Sequence, residues 1–300
     1  MKNVDYKSLR LLDLIIKEQG FEKASAKLFI TQSAVSQRVK QLENQVGSLL
    51  LTRTVPPKPT ELGQKLLGLL YHVDLIEHDA FDNESGNHVV TIPISINADS
   101  LATWFLSAIK PILDDRAIRL DIKVDDESRT LDYLLKGEAV GAISMQPLPA
   151  VGGTCDYLGA MDYIFVSSPA FAEKYFSNGV TKEALLRAPV VSFNHSSDMH
   201  HIFLQEYFRL TPGSLNSHIV PSSEAYIQLV LQNSACCMIA EHQIKHELES
   251  GRMINLVPEL VQQKQLYWHR YQPESGTLQR ISEAIINNAK DYLTQSPVTA

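Results

Sequence analysis

Apolar and polar positions alternate with a helical period over the first sixty residues. The pattern predicts a first helix near Asp5–Glu18. It then predicts a helix–turn–helix, with a short helix at Phe21–Leu28, a turn through Ile30–Gln32 and a second helix at Ser33–Gln45. Along that second helix, apolar side chains recur at i, i+4, i+7 and i+11, which is one face of a 3.6-residue repeat. These residues are Val35, Val39, Leu42 and Val46. We therefore expect a helix–turn–helix whose second helix is buried along one stripe.

The other stripe of the second helix is small and polar. It contains Ser33, Ser36, Gln37 and Lys40, which recur at i, i+3, i+4 and i+7. A helix of this kind can lie in the DNA major groove and read base edges. Thr31 is placed to cap the helix, and the free N–H groups of its first turn suit a phosphate. The alternative is an ordinary solvated helix pair, because most such helices have a polar face.

A short basic segment, LLLTRTVPPKPTELG, follows Gly47. It predicts a strand, a proline-stiffened turn carrying Arg53 and Lys58, and a return to a new helix at Thr60. A basic hairpin after a recognition helix is typical of a winged helix–turn–helix, in which the wing touches the DNA backbone or the minor groove. We call residues 1–60 the head. Its predicted DNA contacts are Thr31, Gln32, Ser33, Ala34, Ser36, Gln37, Lys40, Arg53 and Lys58.

A long amphipathic helix is predicted from Thr60 to about Asp82. Its apolar residues step by threes and fours into one continuous seam. We expect this seam to pair with the same helix of a second copy, because a winged head that reads a two-fold operator needs a dimer. The alternative is a helix docked on its own body. The polar segment Asn83–His88 is predicted to be a hinge. The predicted dimerisation residues are Leu62, Leu66, Leu69, Leu70, Val73 and Ile76.

Strands and helices alternate through residues 89–300, which we call the body. The predicted strands are Val89–Ile96, Ile118–Val124, Val140–Met145, Tyr163–Ser167, Val190–Phe193, Ser217–Val220, Cys236–Ile239 and Leu266–Arg270. The predicted helices are Ser100–Leu113, Thr130–Leu135, Ala170–Phe176, Lys182–Leu186, Met199–Phe208, Ser222–Gln232 and a closing helix near Ser275–Tyr292. This alternation predicts an α/β body with parallel βαβ units in an open sheet.

Length and composition fit about two globular domains. The chain has 300 residues, of which 44% are hydrophobic. No run of about 18 apolar residues occurs, so no membrane span is expected. The N-terminus has neither an uninterrupted apolar region nor a cleavage site, so we expect no secretory signal and a cytoplasmic protein. The three cysteines have no metal-ligand spacing and are expected to be reduced.

Charge is divided unevenly along the chain. Residues 1–60 hold ten Lys and Arg against five Asp and Glu, which gives +5. Because the whole chain carries −7, residues 61–300 carry −12. A basic head on an acidic body indicates that the head alone meets a polyanion.

The sequence lacks the common motifs of enzyme chemistry. It contains no G-x-S-x-G, no G-x-x-x-x-G-K-[ST], no H-E-x-x-H and no Cys-x-x-Cys. The densest histidine group, His195, His200 and His201, is expected to pack or lie at the surface rather than bind a metal. The acidic run Asp125–Glu127 leaves a cation site and a solvated loop both open. We expect no catalytic activity and no cofactor.

The body is suited to binding a small molecule in a cleft. In open α/β sheets, ligands lie beyond the carboxyl ends of strands and against helix N-termini. The segment Asn97–Ser100 leaves the first strand and opens a helix, where free N–H groups and a hydroxyl suit a carboxylate. The segment Ser222–Glu224 opens another helix that can face it from a second lobe. The predicted effector contacts are Asn97, Asp99, Ser100, Asp125, Glu127, Ser222 and Ser223.

The head carries a long ordered motif. It reads Ala24, Leu28, Thr31-Gln32-Ser33-Ala34-Val35-Ser36, Val39, Leu42-Glu43, Gly47, Leu50, Arg53, Thr60 and Gly63. This order resembles the LysR-type transcriptional regulators, with Ser25 in place of a usual Ala and Leu51 in place of a common Phe. The stretches NADSLATW, FVSSPAFAEKYF and LYWHR are similar to members of that family that control arginine export and are also described as inhibitors of chromosome initiation. The likeness extends over nearly the whole chain.

The resemblance implies an architecture and a ligand class. It implies a winged helix–turn–helix at residues 1–60, a dimerising linker helix and hinge at 61–88, and a two-lobed, periplasmic-binding-protein-like effector domain at 89–300. Lobe I is expected at about 89–163 and 268–300, and lobe II at about 164–267. The implied effector is lysine or arginine, with Asp99, Asp125, Glu127, Asp162, Asp198 and Glu224 open as carboxylates for its basic end.

The resemblance also implies partners and a role. The partners are double-stranded operator DNA, further copies of the chain in a dimer or tetramer, and RNA polymerase, with no membrane partner. The role is regulation, including activation, of genes for basic amino-acid export. One alternative is an effector-independent architectural or replication-origin DNA-binding protein. A solute-binding protein or an enzyme is the alternative from another class.

Overall fold

Three short helices form the head. The computed structural model describes residues 4–85, 89–194, 199–211 and 215–295, and its first helices are α1 (Tyr6–Lys17), α2 (Phe21–Lys27) and α3 (Gln32–Val46). Their apolar faces meet in one buried core, to which Leu9 and Leu42 contribute. The predicted helix–turn–helix is confirmed. Each helix begins and ends within two residues of its predicted position.

One 25-residue helix, α4 (Glu61–Ser85), joins the head to the body. Its Leu67 lies in the head core and its Leu75 in the body core, so the helix packs on both parts of its own chain. The helix runs three residues beyond the predicted end at Asp82. The first half of the expected hinge, residues 83–85, is therefore helical, and residues 86–88 lie outside the described residues.

The first group of body strands is parallel. It consists of β1 (Val90–Asn97), β2 (Ile118–Asp125) and β3 (Gly141–Ser144), with β1 between the other two. Asn97 is in register with Asp125, so both strands end at the same edge. Helix α8 (Thr130–Lys136) connects β2 to β3.

The helix predicted at Ser100–Leu113 is broken into pieces. They are α5 (Ala98–Ser100), a π-helical segment (Leu101–Phe105), α6 (Leu106–Ala108) and α7 (Lys110–Leu113). Pro111 lies in the first turn of α7, where its missing N–H removes no helical hydrogen bond. The π-helical segment buries Trp104 and Phe105 in the body core.

The second group of body strands is antiparallel. Strands β4 (Gly153–Ser167) and β9 (Gln262–Tyr271) pair along nearly their full length. One end of β9 pairs with β3, and the other end of β4 pairs with β7 (Cys237–Ala240) and β8 (Ile254–Asn255). The expected parallel βαβ units are confirmed in β1–β3, and the two long antiparallel strands β4 and β9 cross the body and join its two halves.

The remaining elements complete two lobes. Lobe II contains a small parallel pair, β5 (Val190–Ser192) and β6 (Ser217–Ile219). Its helices are α9 (Pro169–Phe176), α10 (Lys182–Arg187), α11 (Met199–Phe208), α12 (Ser223–Leu231), a 3-10 turn (Glu241–Ile244) and α13 (Lys245–Glu249). Lobe I contains β1–β3 and is closed by α14 (Gly276–Ala289), which packs on the π-helical segment and on β4 and β9. The expected two-lobed α/β body is confirmed. No helix within the described ranges is long and apolar enough to cross a membrane.

Candidate DNA interface and effector cleft

The outward face of α3 is open to solvent. The polar residues Ser33, Ser36, Gln37 and Lys40 are all exposed, whereas Val35, Val39, Leu42 and Val46 are buried behind them. Thr31 is the N-cap, and its side chain accepts a hydrogen bond from Ala34 N at 3.2 Å. Gln32 is exposed in the first turn, and Ala34 is half-buried. The structure thus places all seven predicted helix contacts on or beside one polar surface.

Glu43 holds the wing against α3. Its Oε1 accepts hydrogen bonds from the N–H groups of Leu50 at 2.8 Å and Leu51 at 3.4 Å. Leu51 then pairs with Pro59 in an antiparallel bridge, which closes the wing. Position 63 requires glycine, because a Cβ there would lie 2.2 Å from Leu50 O.

The two predicted wing cations lie in different surroundings. Arg53 lines a concave surface together with Lys23, Ser36 and Lys40. Lys58 is exposed on the other side of the wing and lines a charged cavity of about 410 Å³ between head and body. Arg53 therefore shares a surface with the recognition helix, and Lys58 lies near the junction of head and body.

The inner part of the α4 seam packs in the core of the head. Leu70 is 1% exposed and lies in the head core with Leu67. Leu62 and Leu66 are half-buried and pack against the same core. The prediction that Leu70 faces a partner helix is therefore wrong, because its own head covers it.

The outer part of the seam is uncovered. Leu69 and Ile76 are 43% and 56% exposed, and Val73 between them is half-buried. These three residues recur at i, i+4 and i+7, and we call them the outer strip. The seam is thus wide enough to pack on the head and still present an apolar strip to the outside.

The carboxyl ends of β1 and β2 form one wall of a cleft between the lobes. Asp99 in α5 and the run Asp125–Glu127 line a cavity whose other wall includes Phe193, Tyr226 and Met238 of lobe II. Tyr163 donates a hydrogen bond to Asp99 Oδ2 at 2.7 Å. The cavity measures only about 20 Å³, which is room for about one water.

The cleft concentrates carboxyl groups away from water. Burial, together with the nearby Asp126 and Asp99, raises the pKa of Glu127 to about 8. Burial also raises the pKa of Asp99, against hydrogen bonds from Tyr163 and Ser223 that lower it. The Asp126 carboxylate lies in the same small closed space, so ionisation of both Asp99 and Glu127 is disfavoured unless a cation joins them. The site is therefore suited to a positively charged group.

Two predicted effector residues carry buried polar atoms without hydrogen-bond partners. Asn97 is 1% exposed and Ser100 is fully buried. Neither the Asn97 amide nor the Ser100 hydroxyl has a partner among the described residues. Neither residue lines the cavity itself. Buried polar side-chain atoms in folded proteins usually have a partner, so these two groups beside Asp99 are open to a further hydrogen-bonding group.

The structure separates the remaining candidates. Ser223 is buried and bonds Asp99, whereas the Ser222 hydroxyl caps α12 by accepting a bond from Ala225 N at 3.2 Å. Asp162 lies elsewhere and accepts hydrogen bonds from Gln263 and Thr294. Glu224 is exposed and lines no part of the cavity.

The other expectations concern residues 195–201. Asp198 and His195 lie outside the described residues. His200 is buried, and its Nε2 accepts a hydrogen bond from Met238 N at 2.7 Å. Its packing role agrees with the expectation for this histidine.

Sequence reasoning missed part of the cleft. Tyr163 and Tyr226 fall on a strand and a helix that were predicted only as elements, and no local pattern marks them as cleft residues. Asp126 lies inside the predicted acidic run Asp125–Glu127, but nothing in the local sequence distinguishes it from its neighbours as a cleft residue. Only the parallel alignment of β2 with β1 shows that this run lies beside Asp99.

A basic winged helix–turn–helix joined to a two-lobed body with a cleft defines a DNA-binding transcriptional regulator with a ligand-binding module. The chain belongs to the LysR family: residues 6–64 match the bacterial regulatory helix-turn-helix protein model of that family, and residues 94–290 match the LysR substrate binding domain. It is a transcriptional regulator and not an enzyme.

Similar proteins cover the full length of the chain. The HTH-type transcriptional regulator ArgP of Yersinia enterocolitica serotype O:8 is 53% identical over 296 residues, covering 98% of this chain and 100% of that protein. The crystal structure of ArgP from Mycobacterium tuberculosis has a TM-score of 0.82 at 28% identity and covers 98% of this chain and 100% of its own. Full-length LysG from Corynebacterium glutamicum with bound effector Arg has a TM-score of 0.72 at 30% identity, with 97% and 99% covered.

Proposed function

We propose that this regulator senses a basic amino acid, arginine or lysine, in the cleft between its lobes and controls genes for basic amino-acid export. The acidic cluster of Asp99, Asp126 and Glu127 carries the proposal, because a guanidinium or ammonium group relieves the repulsion among them. The unpartnered polar atoms of Asn97 and Ser100 supply hydrogen bonds to the α-carboxylate or the α-ammonium. The similarity to LysG, which binds Arg, and to ArgP supports this ligand class.

The three parts of the chain have separate tasks. Residues 1–60 bind the operator, residues 61–88 join and dimerise, and residues 89–300 bind the effector. Within the head, the predicted contacts on α3 read bases, and Arg53 holds the DNA backbone. The outer strip of α4 pairs with a second copy in a dimer or tetramer. Activation then proceeds through contact with RNA polymerase in the cytoplasm.

Calorimetry with four amino acids tests the effector. Arginine and lysine should give heat, whereas citrulline and norleucine should bind at least tenfold more weakly, because an uncharged group leaves the carboxylates without a cation. Glu127→Gln should weaken arginine binding at least tenfold, as expected for loss of a charged hydrogen-bond partner. The matched control is Glu224→Gln, an exposed carboxylate in the first turn of α12.

Two results would count against the proposal. Equal affinity for arginine and citrulline would show that the cluster does not recognise charge. No heat with arginine or lysine would favour the effector-independent DNA-binding protein.

A further inference from the structure

The linker helix α4 is fixed to the effector body by a carboxylate at a helix terminus. Asp79 Oδ1 and Oδ2 accept hydrogen bonds from Thr277 N at 3.0 and 3.2 Å, and the Thr277 hydroxyl donates to Oδ1. Thr277 is the second residue of the 14-residue helix α14. Asp79 thus satisfies a free N–H of the first turn and places negative charge at the positive end of the helix dipole.

The junction is closely fitted. Thr277 is 4% exposed, so the bond to Asp79 is shielded from water. A Cβ on Gly276 would lie 3.6 Å from Asp79 Oδ2, which is ordinary contact distance. One turn of α14 and one side chain of α4 therefore form a directional contact and not a loose surface pair.

The middle of α4, within about two turns before Asp79, is tied to the head. Arg10 of α1 donates to Asp74 Oδ1 and Glu77 Oε2 of α4, each at 2.5 Å. Tyr71 donates to Asp13 Oδ1 at 3.1 Å. Because α4 carries the head rigidly at these positions, any change in its direction at Asp79 also moves α3.

Helix α14 also touches the segment that begins at the effector cleft. Asn288 Nδ2 donates to Ala108 O at 2.6 Å, and α14 packs on the π-helical segment Leu101–Phe105. That segment begins two residues after Asp99, which lines the cleft. A π-helical turn has one residue more than an α-helical turn, so a register change here shifts the surface against which α14 packs.

We propose that Asp79 is the positioning residue that transmits the state of the cleft to the DNA-binding head. Its contacts lie on a continuous physical connection from the cleft, through the π-helical segment and α14, to α4 and the head. The inference rests on the proposed function, since it needs an effector in the cleft. Asp79 acts in this role without contacting either the effector or DNA.

The test compares the effect of arginine on DNA binding in wild type and variants. The probe is a duplex selected from a random library by the wild-type protein, and the response is the ratio of its Kd without and with saturating arginine. In the Asp79→Ala variant this ratio should be at least threefold closer to one than in wild type. The Kd for arginine, measured by calorimetry, should stay within twofold of the wild-type value. By linkage, the effect of the duplex on arginine affinity should fall by the same factor.

Two further variants separate transmission from folding. Thr277→Val keeps the N–H donor and the shape but loses the hydroxyl, and it should reduce the response less than Asp79→Ala. Glu61→Gln, an exposed carboxylate of α4 that bonds only Lys65 among the contacts described, should leave the response unchanged. If the Asp79→Ala variant binds arginine and keeps the full response, the role given to Asp79 is overturned and the proposed function is not. Absence of arginine binding in wild type would instead overturn the proposed function.

Discussion

Two adjacent leucines of α4 should have opposite roles in stability and assembly. Leu69 belongs to the outer strip and is 43% exposed, whereas Leu70 is 1% exposed in the head core. The double change Leu69→Ala and Ile76→Ala should weaken the dimer without unfolding the head. The single change Leu70→Ala should destabilise the head instead.

The magnitudes follow from the exposed fractions. Leucine and isoleucine each exceed alanine by three carbons, worth about 0.8 kcal/mol per buried carbon. Burial of the 43% and 56% that are exposed is therefore worth about 1 kcal/mol for each side chain. A two-fold dimer uses each strip twice, which gives about 4 kcal/mol and a rise in dimer Kd of nearly three orders of magnitude. For Leu70→Ala, the loss of a packed core side chain costs roughly 2–5 kcal/mol of head stability.

Two measurements distinguish the two roles. Sedimentation equilibrium gives the dimer Kd, and amide hydrogen exchange of α1 and α3 gives the stability of the head. A dimer Kd within threefold of wild type for the Leu69 and Ile76 double variant would refute the assignment of the outer strip. Dissociation of the dimer by Leu70→Ala, with unaltered exchange in the head, would refute the division of the seam.

Two more predictions concern the DNA surface and the cleft. Gln37→Ala should cost roughly 1–3 kcal/mol on a specific duplex and spare random DNA, whereas Arg53→Ala should weaken both and lower the salt slope by about one; equal losses for Gln37→Ala on both duplexes would contradict its role in base reading. Body stability should fall as the pH rises towards about 8, because the folded protein keeps the Glu127 proton that the unfolded chain releases near its ordinary pKa. Glu127→Gln should flatten that dependence in thermal unfolding between about pH 5 and about pH 9, and an unchanged slope would show that other groups cause it.

The head was predictable because its signals are local. The stripe of Val35, Val39, Leu42 and Val46 and the capping residue Thr31 lie within one helix, and the structure places them as the period requires. The same holds for the start of α12 and the strand end at Asn97, where a polar residue follows an apolar run. Such features depend on neighbours within about one turn, and the sequence contains those neighbours.

The missed features depend on distant partners. The first half of β4, GTCDYLGA, has no regular alternation, and only its long pairing with β9 makes it a strand. The seam of α4 is continuous in sequence, and nothing in its period separates Leu69 from Leu70. Tyr163 and Tyr226 become cleft residues only when the two lobes close on each other. These assignments need tertiary contacts that periodicity does not encode.

The position of the two tryptophans makes the two parts of the molecule optically distinct. Trp104 and Trp268 are both buried in the body, and the head contains no tryptophan. Trp104 lies in the π-helical segment beside the cleft, and Trp268 Nε1 donates to Ser282 of α14 at 2.8 Å. Their emission therefore reports on the body alone in the unlabelled protein, whereas circular dichroism also detects melting of the helical head. A gap between the two melting curves measures how independently the head unfolds from the body that controls it.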